Sequence, residues 1–386
     1  MAERCAIIGV GQTEHRKRRE CSIAELVREA ALRALQDADL DWRDIDAVVI
    51  GKTPDVFDGL MCPELYLADA LGAADKPILR ISTAGSVGGH TAIQASHLVQ
   101  AGIHRRVLAV AYAKESEGDI NWAVQGGGMP FTTPLVAGPG AYFALHIRDY
   151  MERTDAPDDI GIQIALKSRR NALLNPHAHV RIEDISYEKI RDSPMLWEPV
   201  RRLETCPSSD GACALVLGDD RSVRDAPRPP AWILGAAART EPGNAPWRDQ
   251  VDPLAGRECA RAMYRQAGIR DPRREVDLAE LYAPFSWMEA MWLENMGIAE
   301  RGGGGWKMVA EGATTLNGSF PVDPSGGVLS ANPTGATGML RFAEAAQQVR
   351  GLAGDHQVDG ARVALGHAQG GAASYLATWL VGATRP

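Results

Sequence analysis

Cysteine is scarce and scattered. The six thiols, Cys5, Cys21, Cys62, Cys206, Cys213 and Cys259, form no Cys-x-x-Cys pair, which excludes a disulfide framework and fits a reducing compartment. Long hydrophobic runs are missing as well, since no stretch approaches the roughly 20 apolar residues of a membrane helix. Apart from Arg16–Arg19, no run of four or more lysines and arginines occurs, and 41 basic against 49 acidic residues leave a net charge of −8. That balance argues against nucleic acid as a partner. The N-terminus has no signal-peptide pattern, because Met1–Arg4 leads into a short apolar run and then the charged His15–Glu20. A cytoplasmic protein with no membrane and no nucleic-acid partner is expected. What is present is ordinary for a folded chain: 45% hydrophobic and 23% charged residues. The 386 residues suffice for two or three domains with full-sized cores.

The pattern along the chain predicts an α/β order that occurs twice. Strands are expected at Cys5–Val10, Asp44–Gly51, Ile78–Ser82 and Arg106–Tyr112. A helix capped by Ser22-x-x-Glu25 runs to about Asp37, and a second follows the Gly-rich turn Thr83–Gly89, from about His90 to Ala101. Downstream, strands at Trp232–Ala237, Glu275–Leu281 and Ala361–Leu365 alternate with helices at Gly256–Ala267 and Met339–Val349. The turn Pro333–Gly338 answers Thr83–Gly89, and Ala267–Gly268–Ile269 answers Ala38–Asp39–Leu40. The alternative is two unrelated α/β domains.

The halves are expected at 1–225 and 231–386, joined by the charged, proline-rich Asp219–Pro230. Between about 115 and 200 lies an insertion with little periodicity. It holds Gly126–Gly128, Pro130, Pro134 and Gly138–Gly140, then a helix Tyr142–Arg153, and reads as a substrate-binding region or lid. Gly302–Gly305 reads as a flexible loop.

Five segments carry a family resemblance: Lys167–Pro176, Cys206–Ala212, Asn317–Leu329, Asn332–Gly338 and Leu365–Gly371. In this order they are similar to the thiolases, and particularly to the sterol-carrier or lipid-transfer branch. The resemblance implies a thiolase fold, with two similar α/β halves in αβαβα layers and an inserted loop domain. It also implies a homodimer.

The departures from that pattern carry more information. A thiolase has its nucleophilic cysteine at the turn that here reads Ser82–His90. Pairing the glycines puts Gly85 at that position, and a slip of one residue puts Ser86 there. The family's Gly-His-Pro histidine is Asn332, its second cysteine falls at Ala368 beside His367, and its His-Asp segment reads Tyr282–Phe285. A serine is a poor Claisen nucleophile without a base, so a covalent acyl-enzyme is disfavoured.

The resemblance to steroid side-chain aldolases of this branch implies a retro-aldol cleavage of a bulky β-hydroxyacyl-CoA. Tyr282 is the expected acid/base, Asn332 the donor to the thioester oxygen, and His367 a proton donor to the enolate or a ligand for a water. Gly85, Ser86, Gly88 and Gly370 would frame the oxyanion and substrate site at a helix N-terminus. Each has a structural alternative: a half-buried tyrosine, a turn asparagine, a core histidine, a helix cap. No bound cofactor is expected, coenzyme A entering only as part of the substrate. A small OB-fold protein with a zinc ribbon is a plausible partner by analogy with the branch. Two other functions stay open, a weak acyl-CoA acyltransferase and a catalytically dead acyl-CoA-binding subunit.

Other conspicuous residues read as structural. His90 reads as a cap, Asp210 as a turn carboxylate, and Cys206 and Cys213 as buried small hydrophobes. His177 and His179 lack a third metal ligand. Trp287–Trp292 reads as core that could border a pocket near Tyr282.

Overall fold

The computed structural model describes residues 3–120, 123, 138–243 and 247–386; Gly126–Gly128, Pro130 and Pro134 lie outside them. One nine-stranded sheet runs through the described residues. Its strands are β1 (Ala6–Gln12), β2 (Ala47–Lys52), β3 (Ile78–Ser82), β4 (Arg106–Lys114), β5 (Asp210–Gly218), β6 (Ala231–Thr240), β7 (Leu278–Glu280), β8 (Val363–Gly370) and β9 (Tyr375–Gly382). They lie in the order β3-β2-β4-β5-β1-β6-β9-β8-β7. From the central antiparallel pair β1–β6, each side repeats the same sequence of directions. An antiparallel strand comes first (β5 or β9), then another (β4 or β8), then a parallel one (β2 or β7). β3 completes one side, and a parallel bridge from Ala279 to Val322 marks the corresponding place on the other.

Two of these strands, β5 and β9, were not evident from the sequence pattern. β5 is buried along its whole length between β1 and β4, so it reads as a continuous apolar run without alternation.

Helices α1 (Ile23–Ala38), α2 (Val87–Gln100), α3 (Gly138–Thr154), α4 (Ile160–Ala172), α5 (Leu254–Ala267), α6 (Met288–Asn295) and α7 (Thr334–Arg350) build the layers. Alternation along the strands sets which helix each side chain meets. Leu108 and Val110 of β4 pack with α1, whereas Val107, Ala109 and Ala111 face the other way, with α2 and α7. In the second half, Ala364 and Ala368 of β8 share that central cluster, while Leu365 packs outward with α5 and α6. Thus α2 and α7 lie between the two halves of the sheet, with α1 and α5 outside, which is the αβαβα layering that the resemblance implies.

Small residues permit the central crossing. A β-carbon on Gly88 would stand 2.5 Å from the Met339 nitrogen, and one on Gly89 would stand 2.8 Å from the Ala368 Cβ. The capping box at Ser22 and Glu25 forms as expected, worth about 1 kcal/mol. The recurring phrases at 38–40 and 267–269 are both left-handed helix caps, at Asp39 (φ 55°) and Gly268 (φ 73°). Two expectations change. The linker contains a short helix, Asp220–Asp225, capped by Asp219, and the insertion contains α4, which carries the Lys167–Ala172 motif. Gly138–Gly140, read as irregular, begins α3. No helix among the described residues is long and apolar enough to cross a membrane.

Candidate active site

Tyr282 follows the C-terminal end of β7, and its backbone is held on both sides. Its N–H donates to His367 Nδ1 (3.3 Å), and its carbonyl accepts from Trp292 Nε1 (3.0 Å). The preceding amide, Leu281, donates to Asp323 Oδ1 (2.7 Å). With so little backbone freedom, the ring has one place to go, which is toward Gly85. A β-carbon built on Gly85 would lie 3.0 Å from the Tyr282 hydroxyl and 3.2 Å from the Gln369 carbonyl oxygen. The phenol therefore occupies the space that a nucleophilic side chain at position 85 would need. Tyr282 is 3% exposed. Burial pushes its hydroxyl well above the ordinary phenol range, with the Cys206 thiol and the Glu115 carboxylate adding to the effect.

Asn332 faces the same hydroxyl. Its Oδ1 accepts from Tyr282 Oη (3.3 Å) and from Thr337 Oγ1 (2.8 Å), and its Nδ2 donates to Cys206 Sγ (3.3 Å). Its own amide donates to Ser209 Oγ (3.2 Å). Cys206, expected as an inert core thiol, is thus part of the site. Its thiol is pushed up to about 12 by burial, reinforced by Glu115, and stays protonated. Glu115 ties the surrounding loops together. It accepts from Thr334 N (2.8 Å), at the start of α7, and from the Ser208 hydroxyl. Burial raises its carboxyl above the usual range.

His367 lies behind this arrangement, fully buried, its ring centroid 5.3 Å from that of Trp292. Because Nδ1 accepts from the Tyr282 amide, its proton sits on Nε2. Burial lowers its pKa to about 3, so it is neutral in the pH range of interest. This placement supports the Tyr282 backbone through Nδ1 and leaves Nε2 without a hydrogen-bond partner among the described residues.

Gly370 presses on the other wall. A β-carbon there would stand 2.5 Å from the Ser86 nitrogen and 2.6 Å from that of Gly85. Ser86 is fully buried, caps no amide of α2, and lies 3.4 Å (Oγ–Oγ1) from Thr83. Among the described residues, its Oγ has no side-chain hydrogen-bond partner other than Thr83, while the imidazole of His90 bonds its carbonyl. Gly88 belongs to the α2–α7 crossing instead of the site. Ala368, at the second cysteine position, is buried against Gly89 and Gly338. An open cavity of about 520 Å³ is lined by Cys206, with Leu203, Val180, Ile182, Lys189 and Arg202 around it.

The remaining residues resolve as follows. His90 Nδ1 bonds the Ser86 carbonyl (3.1 Å), and His179 Nδ1 bonds Ser209 Oγ (2.8 Å). No group that could hold a metal occurs among the described residues. Asp210 is buried, and burial opposes its ionisation. Bonds from Ser116, Arg19 and Lys114 nevertheless hold its carboxyl below the usual range. Gly302–Gly305 is more than a loop, since the amides of Gly302, Gly303 and Gly305 all donate to Glu294.

Comparison with known proteins bears on the fold and the family resemblance. A family model described as "Thiolase C-terminal domain-like" matches residues 238–383. A solved structure described as "Ltp2-ChsH2(DUF35) aldolase" superposes with a TM-score of 0.87 at 27% identity, covering 99% of this chain and 98% of that one. The chain is thiolase-like. It is similar to members of the lipid-transfer branch, being 27% identical to human sterol carrier protein 2 over 94% of this chain and 69% of that protein. An acetyl-CoA acetyltransferase of Methanothermobacter thermautotrophicus is 28% identical over 95% of this chain and 96% of its own length. A steroid side-chain-cleaving aldolase of Thermomonospora curvata is 27% identical over 90% of each.

Of the positions named from sequence, the fold brings together Tyr282, Asn332, Gly85, Ser86 and Gly370. The members that sequence reasoning passed over are Cys206, Thr337 and Glu115. Cys206 carried a visible signal, because it opens one of the thiolase-like segments.

Proposed function

We propose that this thiolase-like chain is a carbon–carbon lyase that cleaves a bulky β-hydroxyacyl-CoA by a retro-aldol reaction. The observation that carries this reading is the Tyr282 hydroxyl, 3.0 Å from the position of a β-carbon on Gly85. On this reading the phenol takes the place of the thiolase nucleophile that the resemblance assigns to position 85. The raised pKa selects how it acts. A free phenolate is disfavoured in this setting, so Tyr282 works by concerted relay, accepting the proton of the β-hydroxyl as it delivers its own to the α-carbon. The Cα–Cβ bond breaks as the two protons move, giving a ketone or aldehyde and a shorter acyl-CoA, and no net charge remains on the ring. Asn332 has a second Nδ2 hydrogen for the thioester oxygen, and the amides around Gly85 add donors where negative charge develops.

Names of relatives support the reaction class, since an aldolase stands in both the sequence and the structural comparison. We propose a steroid or other lipid side chain as the substrate. The cavity at Cys206, with Lys189 and Arg202 at its lining, suits the approach of a CoA thioester. A DUF35 partner, like the one named with the structural neighbour, is proposed here as well. A second copy of this chain is proposed at β3, the edge strand of the sheet, where Leu79 and Ser82 are exposed.

The test is incubation with CoA thioesters of 17-hydroxysteroid side chains, with and without the partner, and detection of ketone and short acyl-CoA. Cleavage lost in Tyr282→Phe supports the relay. Full activity in Tyr282→Phe removes it, and an acyl group that survives denaturation on the protein replaces it with acyl transfer. Binding of the thioester without turnover, equal in both proteins, would leave a binding subunit.

A further inference from the structure

The turn between β8 and β9 has an uncommon backbone. Gly371, Ala372 and Ala373 have φ of 56°, 57° and 58°, so three consecutive residues are left-handed, and two of them carry a β-carbon. For alanine this region is unfavourable, and single non-glycine residues persist there only when their surroundings hold them. The Ser374 amide closes the turn on the Gly370 and Gly371 carbonyls (3.0 and 3.1 Å), and the side chain that holds it is Arg248, from a distant part of the chain and 1% exposed. Its Nη1 donates to the Ala372 carbonyl (2.9 Å) and to Gln250 Oε1 (2.8 Å), and its Nη2 donates to the Ala373 carbonyl. Its Nε lies 3.6 Å from Glu241 Oε2. The Glu241 amide in turn donates to the carbonyl of Ser374 (2.8 Å), and its carboxylate accepts from Ala255 N (2.9 Å) at the first turn of α5. A planar guanidinium suits two adjacent carbonyls in a way that a lysine ammonium does not.

The residues before the turn form the wall facing Tyr282. Gly370 lies against the Gly85 and Ser86 amides, and the Gln369 carbonyl shares the space at Gly85 with the phenol. We propose that Arg248 is a positioning residue for the active site, clamping the left-handed turn Gly371–Ala373 so that Gly370 is held against the Gly85–Ser86 amides. This rests on the retro-aldol reading for its effect on turnover, but the clamp itself does not.

Two readouts separate them. Amide hydrogen exchange of the 371–376 segment reports the clamp without any substrate, and kcat and KM for thioester cleavage report its consequence. Losing charge-assisted bonds to two carbonyls should speed exchange of this segment in Arg248→Ala by about tenfold or more. Turnover should fall by a comparable factor, with KM changed by less than about threefold, as expected for lost alignment. Arg248→Lys, which keeps the charge but not the fork, should fall between and guards against failure of the alanine variant to fold. The decisive variant adds Ala372→Gly and Ala373→Gly to Arg248→Ala. Glycine enters the left-handed region without the alanine penalty, so protection and turnover should both recover in part. Unchanged exchange in Arg248→Ala overturns the proposal. So does faster exchange with unchanged kcat, or a glycine variant with no recovery in either readout. If the wild type cleaves no thioester while exchange responds as described, the proposed reaction fails and the clamp stands.

Discussion

Gly85→Ala tests the central contact with a single methyl group. The new Cβ would lie 3.0 Å from the Tyr282 hydroxyl, 3.5 Å from its ring Cζ and 3.2 Å from the Gln369 carbonyl oxygen. The first of these is too close for a carbon–oxygen contact, so something must move by a few tenths of an ångström. Gln369 cannot give way easily, because it lies in the β8–β9 ladder opposite Leu376. Tyr282 cannot shift at its backbone, which is bonded on both sides. The ring must therefore swing, and the bond to Asn332, already 3.3 Å long, stretches beyond useful hydrogen-bond distance. Loss of that bond costs about 1 kcal/mol, and misplacing an acid/base group by this much costs about 10²-fold in turnover. Stability should barely change, since Gly85 does not have a positive φ and alanine lowers the entropy of the unfolded chain by about 0.4–1 kcal/mol in compensation. The assay is ketone release under single-turnover conditions, alongside denaturant unfolding. In the double variant with Tyr282→Phe, the methyl should add almost nothing to the loss. Full activity in Gly85→Ala, or a multiplicative loss in the double variant, would refute this reasoning.

Three further outcomes follow from the same geometry. Asn332→Asp keeps the acceptor for Tyr282 and Thr337 but loses the Nδ2 donor, so it should lower kcat/KM by about 10²-fold if that donor serves the thioester oxygen; Asn332→Ala should lose at least as much. Gly338→Ala places a Cβ 2.8 Å from both the Ala368 Cβ and the Gly89 nitrogen, and should destabilise by about 1–3 kcal/mol in denaturant unfolding. Adding Ala368→Gly should recover part of that loss. The buried pair His356–Glu344 (2.9 Å) should make stability pH-dependent in both directions. Burial opposes the charge on His356, but the bond to Glu344 outweighs it and raises the pKa, so this contribution is complete below about 6.5 and is lost as pH rises through the raised value. The Glu344 carboxyl is lowered to about 2 despite burial, by His356 first and Gln12 next, so its contribution is lost as pH falls from 4.5 toward 2. Unfolding of Glu344→Gln across pH 3–9 should show a flatter profile than wild type.

What could be read from the sequence divides by the range of the interactions involved. Strands with flanking turns, such as β3 at Ile78–Ser82, and the capped start of α1 rest on neighbours within a few residues, and they fall where expected. β5 and β9 did not declare themselves, because a strand buried on both faces loses its alternation and only its partners identify it. The short helix in the linker was masked by prolines downstream of it. Glu294 shows the same limit from another side. A run of four glycines reads as slack chain, yet its amides wrap one carboxylate eight to eleven residues away, which also accepts from Tyr150 (2.6 Å).

At the site, the missing cysteines were legible but their replacement was not. Sequence position alone could place Tyr282, Gly85 and Asn332 in corresponding motifs; it could not say that they touch. On the proposed function, the contact favours a substituted nucleophile over a lost one. The phenol lies 3.0 Å from the β-carbon position of residue 85, and its backbone is bonded to a buried histidine and a tryptophan. Glycine is not required at 85 by the backbone; it is required by the tyrosine. The pairing of a small residue with a large one across the site is a volume exchange, and volume is conserved where packing is dense. Substituting the pair together, Gly85→Cys with Tyr282→Ala, should therefore fold better than Gly85→Cys alone while cleaving no thioester, because the space is restored and the relay is gone.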